Sequence, residues 1–181
     1  MTTVVSKKDN VIINEKNVVQ VSIACDSQWT EFDKNLKHYN TKLFKIDDRF
    51  VFSGTGKQDV EFILMAEFAK NHRPQTNETM GWYRYMKEFD KFVRANTVYK
   101  EAITARFCFN WDDKIWDIYN GSAVREVENY IAMGNGSQVA FGALYMDATA
   151  EQAVGASCYR NTGTSGAIDK HLIETIKGNE R

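Results

Sequence analysis

The spacing of apolar residues follows two different periods along the chain. Apolar and polar residues alternate over residues 18–26, which predicts a half-buried strand with Asp26 on its more polar face. Two short strands are predicted at 42–46 and 49–53, because the Asp-Asp pair between them is typical of a tight turn. The first third of the chain is therefore predicted to contain hairpin-linked strands.

The period then changes to 3.6 residues, which is typical of amphipathic helices. Two apolar stripes follow one another, the first at Val60, Ile63, Leu64 and Phe68 and the second at Trp82, Tyr85, Met86, Phe89 and Val93. The first helix is expected to end near Pro74, since the residue before a proline disfavours the helical conformation. Two consecutive helices are therefore predicted in the middle of the chain.

Alternation returns in the second half. Strands are predicted at 103–109, 114–119, 130–132 and 168–176. Between the last two strands, a helix is predicted at about 137–146, and another begins after Thr149, a favourable N-cap residue. The second half therefore repeats the order of strands followed by two helices, and it ends on one more strand.

This order of elements predicts an α+β fold. Hairpin-linked strands favour antiparallel sheets, and helices that come in two blocks favour one helix layer on each outer face of two stacked sheets. We therefore predict a four-layer αββα sandwich. No linker-like segment divides the 181 residues, so a single domain over residues 1–181 is expected.

Composition excludes several classes of function. Lys and Arg number 23 against 24 Asp and Glu, so no overall positive field favours a nucleic acid or an anionic membrane. No apolar run approaches the roughly 20 residues of a spanning helix, and no export signal is evident at the N-terminus. Three widely spaced cysteines among apolar residues suit reduced core positions in a cytoplasmic protein. The three histidines are far apart, so we expect no zinc site.

Thr2 is the first residue with candidate chemistry. A small second residue permits removal of Met1, which exposes an α-amine with a pKa of about 7.7 to 8.0 on the residue that carries the hydroxyl. That amine can deprotonate its own Oγ, directly or through one water. Met-Thr-Thr is also an ordinary way for a chain to begin, so Thr2 alone leaves both interpretations open.

Further motifs occur in a characteristic order. Asp26 ends the strand at 18–26, Lys42 follows 16 residues later, and Gly54-Thr55-Gly56 precedes the first helix. With Thr2, these residues make the chain resemble the proteasome β-subunit family of N-terminal-nucleophile hydrolases. The resemblance is closest to the bacterial HslV branch, a protease partnered with an ATP-dependent unfoldase. Segments 130–137, 140–145, 150–153 and 159–166 match the same family in the same order.

The resemblance implies a role for each matching residue. Thr2 is expected to be the nucleophile, and its freed amine is expected to be the base. Lys42 is expected beside Thr2 Oγ, where its charge stabilises the alkoxide, with Asp26 keeping Lys42 charged and aimed. The N–H of Gly56 is expected to receive the oxyanion. Asn135 stands where the family usually has a serine near the nucleophile, and an asparagine can also donate and accept hydrogen bonds.

Substrate contacts are implied for a second group of residues. Thr30 and Gly54 are expected to line the cleft, with the peptide bound as an added strand. Trp29 and Asn40 are expected to border the pocket for the side chain before the cut, although Trp29 suits ordinary aromatic packing equally well. No cofactor is expected to be required.

The first hairpin departs from the family pattern in its length. The 24 positions from Thr2 to Asp26 exceed the usual length of the first hairpin, and an extended hairpin around residues 10–17 accounts for the surplus. Carbonyls near Asn161 and Thr164 are candidate ligands of a structural sodium or magnesium ion, as in relatives.

The resulting hypothesis is a threonine-type endopeptidase. It is expected to cleave unfolded polypeptides with Thr2 after Met1 removal, inside a homo-oligomeric ring that an ATP-dependent unfoldase feeds. Two alternatives remain open from the sequence. One is a shell or assembly subunit that keeps the fold without catalysis, and the other is an amidase of the same fold that acts on a small molecule.

Overall fold

The computed structural model describes residues 2–30, 37–39, 42–56, 59–97, 102–160 and 164–177. The strands, in chain order, are β1 (Thr3–Ile13), β2 (Lys16–Asp26), β3 (Gln28–Thr30), β4 (Lys37–Tyr39), β5 (Phe44–Lys45), β6 (Phe50–Thr55), β7 (Arg106–Trp111), β8 (Lys114–Tyr119), β9 (Ala123–Val127), β10 (Tyr130–Gly134) and β11 (Ile168–Ile176). The helices are α1 (Asp59–Asn71), α2 (Thr79–Asn96), α3 (Ser137–Tyr145) and α4 (Ala150–Arg160).

Two antiparallel sheets form the centre of the molecule. One has the strand order β10-β1-β2-β11, and the other has the order β5-β6-β7-β8-β9. The short strands β3 and β4 pair with each other outside these sheets. Since β2 pairs with both β1 and β11, the first sheet contains the first and the last strand of the chain.

Three apolar layers hold the sheets and helices together. Between the sheets lie branched side chains and two cysteines, among them Val4, Val21, Ile23, Cys25, Val51, Cys108 and Ile115. Under α1 and α2 the layer is largely aromatic, with Phe50, Phe52, Trp82, Phe89, Phe107 and Phe109. Under α3 and α4 it consists of small residues, with Ala24, Ala132, Ala140, Ala153 and Val154. The predicted αββα sandwich is confirmed.

The long first hairpin is also confirmed. β1 and β2 pair in register from Val4↔Cys25 to Ile13↔Lys16. The two turn residues, Asn14 and Glu15, have φ of 50° and 63°, which suits a two-residue turn between twisted strands. The surplus residues of the sequence therefore lengthen a regular two-stranded hairpin. They do not disturb the pairing at its other end, where Val4 lies opposite Cys25.

Several predicted boundaries were wrong. The strand predicted from residue 103 begins at Arg106, because the amides of Thr104 and Ala105 donate to the buried carboxylate of Glu61 at 3.0 and 2.6 Å. The strand predicted at 42–46 is reduced to Phe44–Lys45. β9 was missed, since its pattern of exposed and half-buried residues carries no apolar alternation.

The prediction that Asp26 lies on the more polar face of β2 was incomplete. That face is half-buried at Gln20 and Ser22, but Ala24 and Asp26 are fully buried, and Ala24 packs in the layer under α3 and α4. Helices α3 and α4, which come much later in the sequence, cover only the last residues of β2. The alternation of apolar and polar residues within β2 does not show where the covered part begins.

The start of α4 agrees with the sequence. Thr149 Oγ1 accepts from Gln152 N at 3.2 Å, and Thr149 N donates to Gln152 Oε1 at 2.9 Å, which is a capping box. No helix within the described ranges is both long and apolar enough to cross a membrane.

Candidate active site

Thr2 lies immediately before β1, where the turn after β10 holds its carbonyl. Asn135 N donates to Thr2 O at 2.8 Å, and Gly134 pairs with Thr3. Gly134 has φ of +89°, and a Cβ on it would lie 1.8 Å from Thr2 O. Glycine is therefore needed here both for its backbone conformation and for the close approach. The turn fixes the position of Thr2 through its main chain and leaves the side chain to other contacts.

Lys42 brings a buried ammonium group to the hydroxyl of Thr2. Its Nζ donates to Thr2 Oγ1 at 2.8 Å and to Asp26 Oδ2 at 3.2 Å, and it also donates to the main-chain carbonyl of Gln28. The side chains of Lys42 and Asp26 are 3% and 0% exposed. The described contacts therefore offer an acceptor for each of the three N–H donors of the ammonium. Because the Thr2 hydroxyl accepts from Lys42, its own proton stays available to a base.

Asp26 is held through both carboxylate oxygens. Oδ1 accepts from Thr3 N at 2.5 Å, and Oδ2 accepts from Gln28 N at 3.2 Å as well as from Lys42. Burial raises the pKa of Asp26, while the charge of Lys42 and the bonds from Thr3, Lys42 and Gln28 act in the opposite direction. Two main-chain donors thus fix the carboxylate that faces Lys42.

The glycines before α1 differ in what requires them. A Cβ on Gly54 would lie 2.4 Å from Arg106 O and 2.6 Å from a ring carbon of Phe62, so Gly54 permits close packing of β6 against β7 and α1. Gly56 is exposed and directly follows Thr55. A Cβ built on Gly134 would lie 3.0 Å from the methyl carbon of Thr55, so Thr55 is close to the glycine turn after β10. Gly56 therefore lies near the end of the molecule that carries Thr2.

The family model of the proteasome subunits matches residues 16–155, which is well over half of the chain. The chain belongs to the proteasome subunit family. The matched range includes Asp26, Lys42 and the turn at Gly134, and Thr2 precedes it. A comparison with curated protein sequences gives no match.

Solved structures of other proteins share the fold of this chain. Thiobacillus denitrificans BPH in complex with epoxomicin superposes with a TM-score of 0.78 at 18% identity, covering 96% of this chain and 98% of that chain. Eukaryotic HslV from Trypanosoma brucei gives a TM-score of 0.72 at 18% identity, covering 96% of this chain and 99% of that chain. The expected likeness to HslV is thus confirmed for the fold.

The other predicted site residues of this proteasome-family subunit are placed less completely. Trp29 and Thr30 lie in β3, opposite His38 and Lys37 of β4. Asn40 lies outside the described residues, so its predicted place at the substrate pocket stays a prediction. Asn135 is exposed, and its main-chain amide rather than its side chain makes the contact with Thr2 reported above.

The predicted ion site is described only in part. Asn161 lies outside the described residues, and Thr164 is buried with its hydroxyl donating to Ser157 O at 3.1 Å. Over the ranges that the structure describes, no group of three or more His, Cys, Asp and Glu side chains is placed to hold a metal ion. A sodium or magnesium ion near Thr164 therefore stays a prediction.

Three residues of the site were not found from the sequence. Thr3 is fully buried, and its Oγ1 accepts from Gly136 N at 3.1 Å, while Ser157 Oγ donates to Gly136 O at 2.9 Å. Gln28 contacts both Asp26 and Lys42 through its main chain. The alternation of β1 places Thr3 on the face opposite Thr2, and this signal was available. Gln28 contacts Asp26 and Lys42 through its main chain, and the Ser157 hydroxyl donates to a main-chain carbonyl, so residue types do not reveal these partners.

Proposed function

We propose that this subunit is a threonine-type endopeptidase whose nucleophile is the hydroxyl of Thr2 after removal of Met1. The observation that supports the proposal most is the 2.8 Å contact between Lys42 Nζ and Thr2 Oγ1, beside the buried carboxylate of Asp26. A buried cation at a threonine hydroxyl favours its alkoxide in a site poor in water. Family membership supports the same proposal.

The proposed reaction is acyl transfer in two steps. The α-amine of Thr2 takes the proton from Oγ as Oγ attacks the scissile carbonyl carbon, and Lys42 stabilises the charge on Oγ. The N–H of Gly56 donates to the oxyanion of the tetrahedral intermediate. Collapse breaks the C–N bond, and the α-ammonium gives its proton to the leaving amine. Water, deprotonated by the same amine, then hydrolyses the ester on Thr2 and restores the hydroxyl.

The proposed substrate is an unfolded polypeptide bound as an added strand beside Thr30 and Gly54. We infer assembly into a homo-oligomeric ring, in which an ATP-dependent unfoldase partner supplies threaded chains. The likeness in fold to HslV from Trypanosoma brucei supports this part of the proposal. Large exposed apolar side chains, such as Tyr145 at 81% and Tyr159 at 86%, are suited to contacts between subunits.

The proposal is tested by the N-terminal mass together with hydrolysis of a casein-like substrate. We expect purified protein from a competent host to begin at Thr2 and to cleave the substrate, with inhibition by epoxomicin, which the Thiobacillus denitrificans BPH structure contains. Thr2→Ala, whose second residue remains small, is expected to lose Met1 and all hydrolysis. Thr2→Ser, which keeps a hydroxyl, is expected to retain measurable activity.

Each contrary result identifies an alternative. Retention of Met1, or equal activity in Thr2→Ala, overturns the peptidase proposal. An inactive wild type that forms a ring by light scattering supports a shell or assembly subunit. A monomer that hydrolyses small amides and leaves casein intact supports a small-molecule amidase.

A further inference from the structure

Gln28 connects two parts of the molecule at the buried end of the site. Its side chain and main chain are 1% exposed, although glutamine is usually found at the surface. Its amide donates to Asp26 Oδ2 at 3.2 Å, and its carbonyl accepts from Lys42 Nζ. The main chain of Gln28 is therefore in contact with both members of the buried ion pair.

The side chain of Gln28 is held from the opposite direction. Ser165 Oγ donates to Gln28 Oε1. The segment that carries Ser165 is fixed on both sides, since Thr164 Oγ1 donates to Ser157 O of α4 and Ser27 N donates to Ala167 O at 3.0 Å. Ser165 is thus a firmly placed donor, and Gln28 lies between it and the ion pair.

We propose that Gln28 is a positioning residue for Lys42 and that its bond with Ser165 sets the place of the carbonyl that Lys42 contacts. This inference rests on the proposed function, because it assigns Gln28 a part in the reaction of Thr2. The described contacts give the ammonium group the acceptors Thr2 Oγ1, Asp26 Oδ2 and Gln28 O, and its direction depends on where each of them lies.

The physical basis is the sensitivity of buried polar contacts to position. A carbonyl that moves away from a buried ammonium leaves one N–H without its acceptor, and the lysine then moves to recover a bond. Such a movement changes the contact between Lys42 and Thr2 Oγ1. Misplacement of a catalytic group by about 1 Å can cost about 100-fold in rate. The described contacts join Gln28 to Asp26 and Lys42, and none of them joins it to the hydroxyl of Thr2. Gln28 therefore acts through Lys42.

The test uses matched substitutions of two glutamines. Gln28→Met removes the carboxamide and keeps a side chain of similar length, whereas Gln20→Met makes the same change at a half-buried position, where Gln20 Nε2 donates to Glu174 Oε1. Ser165→Ala removes the donor, and Ser165→Thr keeps it. We expect kcat to fall about tenfold or more in Gln28→Met and Ser165→Ala, with KM changed less than about twofold. Gln20→Met and Ser165→Thr are expected to stay near the wild type.

Two further measurements separate positioning from a general structural role. The double variant Gln28→Met with Ser165→Ala is expected to lose no more than either single variant, because one bond is removed in all three. The rate of acetylation of Lys42 by acetic anhydride, read by peptide mass spectrometry against the exposed Lys45, is expected to rise in Gln28→Met and to be unchanged in Gln20→Met.

The outcomes are distinguishable from failure of the proposed function. If the wild type hydrolyses its substrate and Gln28→Met matches Gln20→Met in both kcat and Lys42 acetylation, the positioning role is overturned. Additive losses in the double variant also overturn the role of the Ser165 bond. If the wild type is inactive, the proposed function fails, and the acetylation of Lys42 alone decides whether Gln28 positions the lysine.

Discussion

Thr2, just before β1, and Thr3, its first residue, have opposite surroundings. Thr2 is half-buried, and its hydroxyl accepts from the ammonium of Lys42 at 2.8 Å. Thr3 is fully buried, and its hydroxyl accepts from the amide of Gly136 at 3.1 Å, on the side of α3 and α4. Since successive side chains of a strand point to opposite faces, one step along the chain separates a hydroxyl at a cation from a hydroxyl at an amide.

The difference shows what makes a threonine a candidate nucleophile. Both residues are of the same type, and both lie beside the glycine turn after β10. A neighbouring cation lowers the cost of an alkoxide at Thr2, whereas an amide that bonds the hydroxyl of Thr3 fixes the turn. Asp26 serves both sides, because Oδ2 faces Lys42 and Oδ1 accepts from Thr3 N.

Lys42→Met tests the contact between the cation and Thr2, and among changes that keep the Thr2 hydroxyl it has the largest expected effect. Methionine keeps an unbranched side chain of similar length and removes the charge. We expect kcat/KM for peptide hydrolysis to fall about 10²-fold to 10³-fold, since Thr2 Oγ loses the group that stabilises its developing charge. Steady-state hydrolysis checks the rate, and light scattering checks that the size of the assembly is unchanged.

The control for this change is Lys45→Met, in which an exposed lysine three positions away loses its charge. Lys45 is paired with Asp48 at the surface, so its replacement is expected to leave hydrolysis near the wild-type rate. Equal activity in Lys42→Met and the wild type would show that the contact between Lys42 and Thr2 plays no part in the reaction.

Asp26→Asn tests the residue that joins the two threonines, and its expected effect is intermediate. Asparagine keeps the shape but leaves Lys42 without its counter-charge, so we expect kcat to fall about tenfold to 10²-fold.

Asp26 is also expected to change the stability of the protein with pH. Because burial raises its pKa above the ordinary value of 3.8, the native state binds this proton more tightly than the unfolded state does.

The sign of the pH effect follows from this shift. The contribution of Asp26 to the free energy of unfolding is complete below about pH 3.8 and is lost as the pH rises through the native pKa. The stability of the wild type relative to Asp26→Asn is therefore expected to decline from pH 3.8 upward, as measured by urea unfolding at a series of pH values. A relative stability that increases with pH over this window contradicts the raised pKa.

Much of the fold and part of the site could be predicted from the sequence alone. The ordered set of motifs was sufficient to predict the family, and the order of strands and helices was sufficient to predict the αββα sandwich. The alternation of side chains along an extended chain also predicts that Thr2 and Thr3 point to opposite faces. Residue types and their order carry this information, because the spacing of apolar residues differs between strands and helices.

What the sequence did not show depends on main-chain contacts between distant segments. Gln28 contacts Lys42 through a carbonyl, and Thr104 and Ala105 leave the predicted strand because Glu61 accepts from their amides. A carbonyl or an amide is the same in every residue, so its partner cannot be read from the side chain beside it. Similarly, Ala24, on the same face of β2 as Asp26, packs in the layer under α3 and α4, which lie more than 100 residues later in the chain.

Thr3→Val tests the amide side of the comparison and has the smallest expected effect on activity. Valine keeps the shape but cannot accept from Gly136 N, and a buried amide without a partner costs about 1–3 kcal/mol. The amide of Thr3 still donates to Asp26, so kcat/KM is expected to stay within about threefold of the wild type. Urea unfolding measures the first quantity, and peptide hydrolysis measures the second.

Thr2→Val makes the same substitution one position earlier and is expected to give the mirror result. Its hydroxyl is lost at a half-buried site, so the free energy of unfolding is expected to change by less than about 1 kcal/mol, whereas hydrolysis disappears with the nucleophile. The N-terminal mass must show Met1 removal in both variants for the rates to be comparable. If Thr3→Val abolishes hydrolysis while Thr2→Val retains it, the register is displaced by one residue and Thr3 is the reacting threonine.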